Sequence, residues 1–158
     1  LGIPDCAGAP HDELSRVESS KSILTDTIGC YQEKIKSNQI TQNQIFAATA
    51  RIGVASSTIA ARITPLENIL RNEIASAEKV QSLLAGLIGQ ASSGSGEAVL
   101  TSLNAQYQSL LASGTLFSPQ APALAAQQAE QRRPEFEALD VESRTKLNEC
   151  SAFPQNTQ

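Results

Sequence analysis

The stretch that decides the fold is residues 40–90, ITQNQIFAATARIGVASSTIAARITPLENILRNEIASAEKVQSLLAGLIGQ. Apolar residues recur in it at Ile45, Ala48, Ile52, Ala55, Ile59, Ile63, Leu66, Leu70, Ile74, Ala77, Val80, Leu84 and Leu87. Every step is three or four residues, which places all of them on one face of an α-helix. Thr64-Pro65-Leu66-Glu67 interrupts the run: Thr64 suits a cap, Pro65 the first helical position, and Glu67 completes a capping box. The residue before a proline also avoids the α region. One helix is therefore expected to end near Ile63 and another to begin at Thr64. The apolar stripe keeps its phase through Pro65, so a kinked, continuous rod is expected, with a fold-back there as the alternative.

Working outward, residues 1–10 hold Gly2, Pro4, Gly8 and Pro10 and read as an irregular lead-in. Leu14, Val17, Leu24, Ile28, Tyr31 and Ile35 then mark a helical face over about 12–37, with Lys21 standing in the apolar register. On the C-terminal side, the glycine–serine run at 90–96 reads as a flexible tip. Leu100, Leu103, Tyr107, Leu110 and Leu111 give a further helical face, ending at Ser113-Gly114. Residues 115–122, with Pro119 and Pro122, read as a break.

A final helical region spans 123–149, divided at Pro134, with Arg132-Arg133 as the C-terminal charge of its first piece. Residues 151–158 read as a polar, frayed tail. The expected fold is a single all-α domain over residues 1–158. It is a helical bundle built on a long antiparallel hairpin (about 40–90 and 97–149), with the N-terminal helix (about 12–37) packed on it. Each arm would run roughly 75 Å if wholly helical.

Three cysteines stand at 6, 30 and 150. The matched arms bring Cys30 and Cys150 to the same end, so these two are the expected disulfide, with Cys6 left over; Cys6–Cys150 is the rival pairing. The absence of methionine, and a chain that starts at Leu1, lead us to expect a cleaved signal peptide and an oxidising, extracytoplasmic compartment, periplasmic or secreted. A trimmed cytosolic fragment is the alternative.

Composition excludes several partners. Net charge is −4 with pI near 5.0, which argues against nucleic-acid binding. No apolar run approaches the eighteen or so residues of a transmembrane helix. Neither C-x-x-C nor C-x-x-C-H occurs, so no metal or haem ligation is expected. His11, beside Asp12 and Glu13, is the one candidate for a catalytic histidine and reads as a solvated helix start. Ser92-Ser93-Gly94-Ser95-Gly96 fails as a nucleophile elbow and as a phosphate cradle. The carboxylates Glu135, Glu137, Asp140 and Glu142 read as the dipole-favoured start of a helix rather than an acid–base pair. No catalytic residue and no cofactor is assigned.

What remains is a weakly charged, amide-rich helix surface. Charged residues are only 18%, and Gln42, Gln44, Gln81, Gln106, Gln108, Gln120, Gln127, Gln128 and Gln131 fill mostly off-stripe positions. Acidic, rich in Ala and Gln, and hairpin-built, the chain resembles minor pilus subunits of bacterial type IV secretion systems. That likeness is of overall profile and not of motif. The resemblance implies a non-enzymatic module that works through a protein partner or self-association, such as a secretion-apparatus subunit, an adhesin or a secreted effector. The competing expectation is a carrier of a small apolar ligand held between kinked helices.

Overall fold

In a computed structural model, residues 7–93, 96–112 and 121–154 are described. They form five helices: α1 Gly8–Lys36, α2 Gln42–Thr58, α3 Thr64–Ser93, α4 Gly96–Ala112 and α5 Ala121–Ala152. No strand occurs among the described residues, and the protein is a helical bundle with α1 packed on other helices. The stripe at 45–80 behaves as its spacing requires: each of its described members is buried or half-buried.

Several boundaries differ from the expectations above. Helix α1 starts at Gly8, and Ala7 is buried. Pro10 lies in the first turn, where backbone N–H groups have no intrahelical partner to lose, so it does not delay the helix. The C-terminal end of α1 is set by Asn38, which adopts the left-handed conformation (φ 57°). Thr41 then opens α2 with a capping box: its Oγ1 accepts from the Gln44 N–H at 3.2 Å, and Gln44 Oε1 accepts from the Thr41 N–H at 2.8 Å. The signal Thr41-Gln42-Asn43-Gln44 is legible in the sequence and marks the start of α2.

Pro65 is accommodated differently from the expected restart. Thr64 is helical (φ −55°, ψ −44°) and caps nothing; a π turn, Ile59–Ile63, precedes it, with the Thr64 N–H bonded to the Ile59 carbonyl. Proline removes one N–H and presses on the carbonyl four residues back. The wider turn absorbs both demands and lets helix continue from Gln42 to Ser93. Glu67, freed from capping, pairs with Lys21 at 3.0 Å.

Pro134 likewise does not divide its helix: α5 runs unbroken from Ala121 to Ala152 with Pro134 inside. Phe136, Leu139, Ser143 and Cys150, buried beyond the proline, hold that backbone in place. Arg132-Arg133 and the carboxylates at 135–142 are thus mid-helix residues rather than terminal charges. The tail expected from residue 151 is helical through Ala152 and carries Phe153 into the core. At the other tip, α3 continues to Ser93 and α4 begins at Gly96. Cys6, residues 94–95, the break at 113–120 and the end at 155–158 lie outside the described residues.

The helices gather into two compact units. The first comprises residues up to Asp12 and Leu70–Gln131. In it Ala7, Leu70, Ile74 and Val80 are buried, and His11 Nε2 lies 3.2 Å from Glu78 Oε1. The second comprises Glu13–Ile69 and Arg132–Gln158. Its register can be read from long-range bonds. Arg132 pairs with Glu13, Cys150 with Cys30, and the Lys34 ammonium donates to the Phe153 carbonyl, at separations of 119, 120 and 119 residues. A constant separation means that α1 and α5 run parallel. Arg62–Glu142 and Thr58–Lys146 are 80 and 88 residues apart, and Arg51 sits over Phe153, so the chain at 51–62 runs antiparallel to α5.

Candidate functional site

Three features of the second unit carry polar or unpartnered chemistry. The first is an aromatic cluster at the disulfide end. Tyr31, Ala48, Cys150 and Phe153 are buried together, with Cys30, Ile35, Ile40, Ala47 and Ile52 packed around them. The Tyr31 and Phe153 rings meet edge to face, centroids 5.5 Å apart, and the Arg51 guanidinium lies 5.1 Å above the Phe153 ring. Burial pushes the Tyr31 phenol above its ordinary pKa. The Arg51 guanidinium, hydrogen-bonded to the phenol oxygen, pulls the other way, and Glu149 adds to the rise. Tyr31 therefore stays neutral at physiological pH and serves as a packing and hydrogen-bonding group. A cavity of about 100 Å³ adjoins it, lined by Thr27, Tyr31, Arg51, Val54, Lys146 and Glu149.

The second feature is the outer face of α2. Arg51 is the one charged residue of this 17-residue helix, and it is turned onto Phe153. The exposed face that remains is Phe46, Ala50, Gly53 and Ser57, with Val54 at its edge. Phe46 and Val54 are 63% and 53% exposed. A Cβ added at Gly53 would meet nothing within 4 Å, so no contact inside the chain requires a glycine there. A solvated helix of ordinary composition would carry Lys and Glu on this face.

The third is a groove of about 430 Å³ between α1 and α5, lined by Arg16, Ser19, Phe136, Glu137, Asp140 and Val141. Phe136 is buried, while Val141 is 63% exposed. Asp140 pairs with Arg144 at 2.9 Å, one turn along α5.

The structure joins Cys30 to Cys150. The bond ties the C-terminal ends of the two parallel helices beside the aromatic cluster. It does not bring the acid–base candidates together. His11 faces Glu78, both more than half exposed, while Glu13 is buried against Arg132. Glu142 is held below the usual carboxylate pKa chiefly by its hydrogen bond from Arg62 and also by Lys146, with burial opposing. Asp140 and Glu142 are thus tied into ion pairs, with Arg144 and Lys146 along α5 and with Arg62 across from it. Among the described residues no group of three or more His, Cys, Asp or Glu is placed to hold a metal ion. No described helix is long and apolar enough to cross a membrane.

Two contacts of this unit leave a trace in the sequence. Lys21 in an apolar register marks a buried acid opposite, which is Glu67. Phe153, three residues past Cys150, is an aromatic side chain in a segment otherwise polar. Compared with protein families, curated proteins and solved structures, the chain matches none.

Proposed function

We propose that this protein is a non-enzymatic, extracytoplasmic helical module that binds a protein partner through the outer face of α2. The observation that carries this reading is the uncharged, aromatic-tipped face around Phe46, Gly53 and Val54 on a helix whose one charge is turned inward. An exposed aromatic side chain in surroundings depleted of charge is what the centre of an interface carries. The Cys30–Cys150 bond supports an oxidising compartment. A secretion-apparatus subunit, an adhesin and a secreted effector all fit such a module.

The carrier of a small apolar ligand is less well supported: the α1/α5 groove, about 430 Å³, is large enough, but Arg16, Glu137 and Asp140 on its walls suit an apolar ligand poorly. The cavity touching α1, α2 and α5 is about 100 Å³, whereas ligand pockets occupy about 300–1,000 Å³. A photo-crosslinking residue placed at Phe46, in cells that make the protein, tests the docking role. We expect a discrete adduct with one protein from position 46 and none from the exposed control position Thr25. Equal labelling from both positions, or no adduct from 46, would remove the α2 face from consideration.

A further inference from the structure

The α1/α5 groove is framed by charges that complement one another under a two-fold rotation. Because α1 and α5 run parallel at a fixed separation of 119 to 120 residues, heights along one helix convert directly to heights along the other. Arg16 on the α1 wall stands level with Phe136, within about one turn of Glu137 and Asp140 on the α5 wall. Asp26, two turns after Ser19 on the same face of α1, stands within two residues of the height of Arg144. Among the described residues Arg16, Asp26 and Glu137 make no ion pair.

We propose that a second copy of this chain occupies the α1/α5 groove, related by a two-fold axis running along it. Such an axis sets each α1 against the other copy's α5 without changing height. Arg16 then meets the partner's Glu137 and the partner's Asp140, and Asp26 meets the partner's Arg144. An axis across the helices would set α1 on α1 and α5 on α5, placing like charge patterns together. The half-exposed apolar surface of Val141 is covered beside the seam.

Area is adequate for such a contact. Residues 13–36 of α1 span about 36 Å, and two helices side by side are about 20 Å wide. The face therefore measures about 700 Å², close to the roughly 800 Å² per partner of a standard interface. Its polar character sets the affinity in the micromolar range rather than tighter. The dimer uses a face other than the outer face of α2 and does not rest on the docking role proposed for it.

Sedimentation equilibrium of the full chain over roughly 1–500 μM tests the proposal. A monomer–dimer equilibrium is expected. Arg16→Glu, and separately Glu137→Arg, should each weaken it about tenfold, and both changes in one chain should restore most of the loss. Far-UV circular dichroism unchanged in all three variants shows that the fold is not what moved. A monomeric mass throughout the range overturns the proposal. So does a dimer that the double charge swap fails to restore, or one that dissociates on Phe46→Lys and ignores Arg16→Glu.

Discussion

At one end of the second unit the helices meet around two aromatic rings and a disulfide; at the other they meet around carboxylates. The disulfide end holds Tyr31, Ala48, Cys150 and Phe153 with almost no exposed surface. The opposite end buries Glu13 against Arg132 and Glu67 against Lys21. Apolar burial is non-directional and tolerates any partner of the right volume, whereas a buried carboxylate is stable only opposite its own cation. The aromatic end is therefore expected to carry more of the stability, and the charged end to be the more sensitive to register. A one-residue slip of α1 along α5 would cost the aromatic end some packing, but it would pull the buried Glu13 carboxylate off Arg132.

The contrast can be broken at four points, from large effect to small. Replacing both Cys30 and Cys150 by serine releases a crosslink between residues 120 apart. In the chain-entropy model that removes about 4–5 kcal/mol, read as the shift in urea unfolding free energy of the oxidised protein. A change below about 1 kcal/mol would mean that the aromatic end does not depend on the bond.

Phe153→Ala should cost about 3 kcal/mol, because the ring is buried against Tyr31 and supports the Arg51 guanidinium. The expected companion sign is a fall of the Tyr31 phenol pKa toward its ordinary value as water enters, followed by ultraviolet absorbance at alkaline pH. An unperturbed titration together with full stability would return residue 153 to the frayed tail.

At the charged end the effects should be asymmetric. Lys21→Met takes the Lys21 ammonium away from the nearly buried Glu67 carboxylate and should cost about 2 kcal/mol. Glu67→Gln leaves a lysine that is 44% exposed and can turn to water, and should cost about 1 kcal/mol. Equal losses in thermal or urea unfolding would mean that the pair is a surface salt bridge in practice.

The smallest effect is on the acid limb. Arg62, donating to Glu142 at 2.7 Å, holds that carboxyl below its ordinary pKa. A depressed folded-state value stabilises the protein above the unfolded carboxylate range, and the contribution drains away as pH falls through the folded value. Glu142→Gln should therefore flatten the stability–pH curve on its acid side and leave the neutral-to-alkaline part parallel to the parent. Both Glu142 and Arg62 are more than a third exposed, so the flattening should shrink further in high salt.

What the sequence determined by itself is the part of the fold set by local periodicity. The stripe from Ile45 to Val80 and the face from Leu14 to Ile35 follow from apolar spacing, whereas the pairing of Cys30 with Cys150 is only the favoured of two in the sequence and is decided by the structure that joins them. The two apolar faces are near-neighbour properties of the backbone, and a one-dimensional pattern records them in full. The tertiary structure alone decided whether a proline ends a helix. At Pro65 a π turn took up the clash, and at Pro134 buried contacts beyond it kept α5 whole, so packing outweighed propensity. It also decided that Phe153 belongs to the core, that Lys21 answers Glu67, and that Arg16 and Glu137 stand level across a groove. Each of these depends on which face meets which across more than a hundred residues or between separate helices. Burial then sets the dielectric that makes a charge costly or an aromatic ring valuable, and burial is a property of the assembled helices rather than of any one of them.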